Sequence, residues 1–390
     1  MLNTLHYDVP VIKKGMIDIE VGAVAHVKRF SKGETINVGN GVTFTGDMLE
    51  VQPSDPRREY YFRKDYGDKP KSIVHWGQRK LLLNEIAFLN YFWDPEEVPG
   101  PVIVYVGAAS GDHIPILLEL FPEIHSMHLY DPAKFSISPT DKIFIYNQFF
   151  EDEDAEVWSD REDIYFISDI RLRPGTYRDR PPKENERMIV EDNQRQRRWV
   201  EIIKPVYAHL KFRPPFPIAK EFEKVEYLDG DLFYQPWAPV SSAETRLVPK
   251  KKEDGSYKTK VWDSKKHEEQ LVYHNTVSRD NPLYNNPFVD GPNEVNIDPP
   301  ELLNDYDSVA ETFILSEYLR KYGKEVNKES VVKLSRHITK RLNEQGIMEK
   351  NLDSIRNFVV TKSGRGRGQS KSRGRGKRGY RGRQGKSRRR

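Results

Sequence analysis

The sequence predicts an α/β domain built on a mainly parallel sheet. Three observations carry that expectation. Apolar runs of strand length alternate with longer runs of helical period. One of them, PVIVYVG at 101–107, ends in glycine and leads through a small-residue loop into HIPILLELF at 113–121. Two other runs, SMHLYD (126–131) and DIYFISDI (163–170), close on acids, Asp131 and Asp169. In a parallel sheet those acids stand at the carboxyl edge, where ligands bind.

Taken in order, residues 1–58 alternate apolar and polar side chains between Gly breaks, as in GMIDIEVGAVAHVKRF and ETINVGNGVTFTGDMLEV. They read as a β-rich extension of short antiparallel strands. QPSDPRRE reads as a linker. HWGQRKLLLNEIAFLNYFW, 75–93, has helical period and a wide apolar face. PVIVYVG carries no charged side chain and reads as a short buried strand. KIFIYNQFF, 142–150, is a further strand between the two acid-ended ones. RQRRWVEIIKPV, 195–206, is a helix, and HLKFRPPF, 209–216, starts as a strand. GDLFYQPWAP (230–239) and ETRLVPK (244–250) read as further strands. After Pro300 come two amphipathic helices, DSVAETFILSEYLRKYG and ESVVKLSRHITKRLNE, the second after Asn327 and Lys328 with basic residues on its polar side. The organisation expected is an extension over 1–58, an α/β domain over 59–295, a helical region over 296–362 and a tail over 363–390.

Composition narrows the possibilities. The chain has 390 residues, 37% hydrophobic and 31% charged, so it can fill a core while part of it stays solvated. It contains no cysteine, which excludes disulfides, cysteine zinc sites and a cysteine nucleophile. The N-terminal residues lack the charged-then-apolar pattern of a signal peptide, and no apolar run has membrane-spanning length. The expectation is a soluble intracellular protein with no membrane partner. The net charge of +4 hides an asymmetry, because the tail SGRGRGQSKSRGRGKRGYRGRQGKSRRR holds 13 Lys and Arg and no acid. That leaves 50 basic against 59 acidic residues in 1–362, a body charge of about −9. Such a tail cannot bury apolar area, is expected to be disordered, and attracts RNA phosphates with strong salt dependence. Tyr380 within it could stack on a base; a solubility or localisation role is the alternative.

The loop after 101–107 sets the chemistry. Small side chains let a ligand approach the backbone, and Asp131 is placed to hydrogen-bond a ribose. The spacing is not the dinucleotide fingerprint G-x-G-x-x-G. Gly107-Ala108-Ala109-Ser110-Gly111 is G-x-x-x-G, and with an acid ending the next strand it is the pattern of S-adenosylmethionine sites in Rossmann-like methyltransferases. The alternatives are a tight turn in an ordinary α/β protein and a nucleotide-dependent oxidoreductase, the latter disfavoured by the missing third glycine. For Asp169, the alternatives are a helix N-cap or a partner for Arg171.

Four further segments, WGQRKLLLNEIAFL, ISDIR, LKFRPPFP and YQPWAPVSSAETRLV, stand in an order and spacing that resembles the poxvirus-type cap-specific mRNA (nucleoside-2'-O-)-methyltransferases, a family that also serves as the small, processivity subunit of poly(A) polymerase. The resemblance covers roughly residues 75–280 and leaves the N-terminal strands, the region after Pro300 and the tail uncovered. It implies a Rossmann-like S-adenosylmethionine-dependent methyltransferase fold in a protein of a large DNA virus or related element, at work in the host cytoplasm and carried in the virion. It implies methyl transfer to the ribose 2'-hydroxyl of the first transcribed nucleotide of capped mRNA, with S-adenosylhomocysteine as product and no metal. Partners implied are capped mRNA and the catalytic subunit of poly(A) polymerase. A non-catalytic RNA-binding or processivity subunit on the same fold is the alternative.

The resemblance also implies site residues. The family's Lys-Asp-Lys-Glu tetrad falls on Lys80, Asp169, Lys211 and Glu244. A ribose hydroxyl is a weak nucleophile near neutral pH, so the site needs in-line placement and a destination for the proton. Lys211 is expected to be the base, or to orient and activate the hydroxyl, with Lys80 as a second cation and the two acids orienting the ammonium groups. Gln78, Tyr105, Gly107, Gly111, Asp131, Phe150 and Asp169 are implied for S-adenosylmethionine; a family arginine is replaced by Ala133. For the 7-methylguanosine cap, Phe216 matches one stacking ring, with Tyr61 as the second and Tyr66 as its fallback. Glu268, Arg213 and Ser242 complete the implied cap site, and a family acid is replaced by Ile218. Arg213 is expected at the cap or the RNA backbone, with a structural salt bridge as its alternative.

Overall fold

The computed structural model describes residues 35–37, 43–59, 77–159, 161–171, 181–239, 242–279 and 306–344. Most of the N-terminal extension, Tyr61, Tyr66 and the basic tail lie outside the described residues. Of the extension, β1 (Thr35–Asn37) and β2 (Thr43–Thr45) pair antiparallel.

The helix expected over 75–93 is α1 (Gly77–Phe92). There follow β3 (Val102–Val106), α2 (Ile114–Leu120), β4 (Ser126–Tyr130), β5 (Ile143–Tyr146), the short α3 (Asp152–Glu156) and β6 (Ile164–Ser168). Then come α4 (Pro182–Ile203), β7 (Tyr207–Phe212), β8 (Lys224–Leu228), β9 (Gly230–Phe233), β10 (Thr245–Pro249), β11 (Thr259–Asp263) and α5 (Ser264–Tyr273). The last described elements are α6 (Tyr306–Lys321) and α7 (Lys328–Glu344).

Seven strands make the central sheet in the order β5-β4-β3-β6-β7-β10-β9. The first five are parallel; β10 runs antiparallel to both β7 and β9. The chain builds outward from β3 to β5, then returns to place β6 on the other side of β3. That reversal makes β3 and β6 the switch point, where a crevice opens beyond the strand ends.

Side-chain alternation explains the layers. Val102, Val104 and Val106 join one apolar cluster with Trp199, Val200 and Ile203 of α4, while Ile103 and Tyr105 join the other with α1, α2, α6 and α7. β6 splits likewise, Ile164 and Phe166 to the α4 side and Tyr165 and Ile167 to the α1 side. A strand with apolar residues at every position is thus covered on both faces, as its sequence required.

Two readings of the sequence are corrected here. QPSDPRRE is not a free linker: Gln270 of α5 donates to Gln52 O at 2.9 Å, Tyr234 donates to Asp55 at 2.7 Å, and Arg57 pairs with Glu269 on α5. And α6 is not amphipathic in its packing, because every residue from Tyr306 to Leu319 is buried. Its polar residues find buried partners instead of water. Glu311 takes Arg79 of α1 (Nε to Oε2, 2.9 Å) together with Ser335 of α7 and the Trp237 indole at 2.8 Å. Asp307 takes Arg279 and accepts the Trp237 backbone N–H at 3.1 Å. Trp237 has a left-handed backbone (φ 62°), unusual for a residue with a side chain, and the two acids of α6 hold it there.

Candidate functional site

The crevice beyond β3 and β6 gathers residues from six elements. Gly107 follows β3 with φ +80°, and a Cβ there would stand 2.8 Å from the Asp169 carbonyl carbon. Only glycine lets the two strand ends meet this closely. Gly111 has φ +81°, and a Cβ on it would press on Phe135 and Ile137. The Ala109–Ser110 peptide between them is cis. Asp131, after β4, binds this loop: Oδ2 accepts the Ala109 N–H at 3.1 Å and Oδ1 the Ala133 N–H at 2.8 Å. Burial raises the Asp131 pKa, against those two N–H groups. Gln78, in the first turn of α1, meets the start of α2, with Oε1 2.6 Å from His113 Nδ1.

Two of the residues implied for the cofactor lie deeper. Tyr105 is fully buried in the middle of the sheet, edge-on to His113. Phe150 is buried on the α4 side, packed edge-on against Tyr130 and Trp199.

The tetrad converges at the far side of the same crevice. Lys211 Nζ stands 3.5 Å from Asp169 Oδ1 and 3.4 Å from Glu244 Oε2. Lys80, near the start of α1, is 8% exposed. Its pKa falls from 10.5 to about 8, first because burial strips its water and next because Arg246 adds positive charge, while Asp169 and Glu244 pull the other way.

Arg246 escaped the sequence reading. It is buried, its Nη2 donates to Asp169 Oδ1 at 2.5 Å, and its Nε donates to Gln235 at 2.9 Å. It stands directly opposite Lys211 in the β10–β7 register, so two cations share one face with Asp169 between them. The available signal was period two: Arg246 follows Glu244 by two residues in a strand. The alternative for Asp169, a pair with Arg171, is not realised: Arg171 pairs with Glu244 at 2.9 Å. Burial pushes both acids up, yet their cations prevail: Arg246 and Lys211 hold Asp169, and Lys211 and Arg171 hold Glu244, well below the usual carboxylate range.

Of the residues implied for the cap, Phe216, Arg213 and Glu268 gather just beyond β7. Phe216 is half-buried, and the Arg213 guanidinium lies 4.1 Å from its ring centroid. Arg213 is not open to a ligand phosphate: it is buried and makes a two-bond pair with Glu186 of α4, at 2.7 and 3.1 Å. The structural salt bridge is thus realised, and Glu186 is a residue that sequence reasoning missed. Glu268 of α5 is close enough to feel both, with its pKa raised by burial and by Glu269 and Glu186, against Arg213. Ser242 is half-buried beside the tetrad, its Oγ accepting the Glu244 N–H at 3.2 Å and its carbonyl accepting from Asn275 at 2.7 Å. Ile218 is half exposed at this edge. Among the described residues no group of His, Asp or Glu side chains is arranged to hold a metal ion, and no helix is long and apolar enough to cross a membrane.

A family model described as "Poly A polymerase regulatory subunit" matches residues 54–347, well past the 75–280 covered by sequence motifs. Among curated proteins, the cap-specific mRNA (nucleoside-2'-O-)-methyltransferase of Myxoma virus (strain Lausanne) is 27% identical over 256 residues, which span 61% of this chain and 69% of that protein. The protein of the same name from Fowlpox virus (strain NVSL) is 30% identical over 198 residues, 48% of this chain and 62% of that one.

Proposed function

The chain belongs to the poly(A) polymerase regulatory subunit family, and from that premise we propose that it methylates the ribose 2'-hydroxyl of the first transcribed nucleotide of 7-methylguanosine-capped mRNA. One observation carries the reading: a lysine set between two buried-site carboxylates, beside a second, buried lysine and an arginine, at the switch point of a parallel sheet.

S-adenosylmethionine suits the other end of the crevice. Gly107 and Gly111 leave a cradle that Cβ atoms would fill, and Asp131 has lone pairs left for ribose hydroxyls after binding two backbone N–H groups. That cofactor, when bound, supplies an activated methyl group. The chain's residues prepare the nucleophile. Lys211, aimed by Asp169 and Glu244, orients the hydroxyl and, as the neutral amine, takes its proton. Lys80 and Arg246 put positive charge where the oxygen becomes anionic, and their burial strengthens the effect. The cap base stacks on Phe216, whose negative ring face favours the cationic 7-methylguanine.

The family description favours a second role, as a processivity subunit bound to the catalytic subunit of poly(A) polymerase. The 13 basic residues of 363–390 would then hold RNA by its phosphates in either role. The test is methyl transfer from labelled S-adenosylmethionine to short RNAs with and without a 7-methylguanosine cap. Transfer to the first ribose of capped RNA only, abolished in Lys211→Ala, is the expected result. Binding of both cofactor and capped RNA without transfer would leave only the processivity role.

A further inference from the structure

The cluster under Phe216 contains a charge arrangement that simple stacking does not need. Arg213 lies against the ring, Glu186 grips its guanidinium with both oxygens, and Glu186 Oε2 also accepts the Phe216 backbone N–H at 2.7 Å. Asn193, two turns further along α4, donates to the Arg213 carbonyl at 2.9 Å. Glu186 and Arg213 are 6% and 7% exposed, so the pair is shielded from solvent, while Phe216 is only half-buried.

We propose that Glu186 is a specificity-determining positioning residue: it fixes the Phe216 ring and neutralises the arginine beneath it, so that the open ring face still attracts a positively charged base. The proposal rests on the cap-reading function given above. An aromatic ring attracts cations to both faces through its quadrupole. A bare arginine on one face would repel a cationic base on the other. Two unit charges about 10 Å apart in surroundings of effective dielectric about 20 couple strongly enough to change affinity on the order of tenfold. The two-bonded carboxylate removes that repulsion. Guanine is neutral and 7-methylguanine is cationic, so Glu186 governs the preference between them more than the affinity for either.

The test compares binding of 7-methyl-GTP and GTP to the full chain by fluorescence quenching. Glu186→Gln keeps the shape and the acceptor for the Phe216 N–H and removes the charge. It is expected to lower the preference for 7-methyl-GTP about tenfold while GTP affinity changes little. Glu186→Gln combined with Arg213→Met, which carries neither charge, is expected to regain the parent preference. Should Glu186→Gln not fold, Arg213→Met alone carries the test: with the carboxylate left under the ring, the preference must hold or rise. Equal loss for both nucleotides in Glu186→Gln, or a lower preference in Arg213→Met, overturns the proposal and leaves Glu186 a packing residue. If the parent chain itself does not prefer 7-methyl-GTP, the cap-reading function fails, and this inference with it.

Discussion

Replacing Lys80 with methionine should make the folded protein more stable while ending methyl transfer. Lys80 is nearly buried, and its pKa is about 8 in the folded chain against 10.5 for an unperturbed lysine. Below pH 8 both states carry the proton, and the folded state holds it at a cost of roughly 3 kcal/mol. Methionine keeps the length of the side chain and removes the charge, so Lys80→Met should gain about 2–3 kcal/mol at pH 6.5. Between pH 8 and 10.5 the unfolded parent binds more protons than the folded parent, so the parent's stability rises with pH through that window. The variant lacks this group, and the gap should close by about pH 10.5. Urea unfolding followed by tryptophan fluorescence from pH 6.5 to 10.5 measures the gap directly. A variant less stable than the parent at pH 6.5, or a gap that does not change with pH, would refute the reasoning. Lys80 would then be held by Asp169 and Glu244 as comfortably as by water.

Three other perturbations reach different parts of the site. Gly107→Ala forces a left-handed backbone on alanine and sets its Cβ 2.8 Å from the Asp169 backbone, so a loss of roughly 2–4 kcal/mol and no measurable cofactor binding by calorimetry are expected. Asp131→Asn replaces one acceptor by a donor facing the Ala109 or Ala133 N–H; the lost bond, worth about 1–3 kcal/mol, should raise the Kd for S-adenosylmethionine at least about tenfold. Glu311→Ala takes the paired carboxylate from the buried Arg79 and the acceptor from the Trp237 indole, and should lower unfolding free energy by about 3–5 kcal/mol in chemical denaturation, with Glu311→Gln losing less.

The central sheet was legible because its strands are short, apolar and bounded by Gly, Pro or acids, and because strand–loop–helix at 101–121 has few other readings. The tetrad positions were legible through motifs, and the structure brings all four together. What the sequence hid was pairing across long separations. Asp169 could have met Arg171, its near neighbour, and instead meets Arg246, 77 residues on. The polar residues of α6 looked like a solvent face, since nothing local announces that Glu311 will meet Arg79 from α1. Glu186 sits in a highly charged helix where one buried acid resembles its exposed neighbours. QPSDPRRE has the composition of a linker, and only its docking on β9 and α5 distinguishes it from one.

The Arg79–Glu311 pair also has a consequence in time. The partners are 232 residues apart, and Arg79 directly precedes Lys80 of the tetrad. At about 5–20 residues per second, a ribosome needs on the order of 10–50 s to carry synthesis from one to the other. Throughout that interval α1 has strands to lean on but Arg79 lacks Glu311, and Trp237 lacks the two α6 acids that bind its backbone and indole. The tetrad crevice is therefore among the last parts of its own translation product to be finished, and a nascent chain stalled before α6 would carry every tetrad residue without the framework that aligns them.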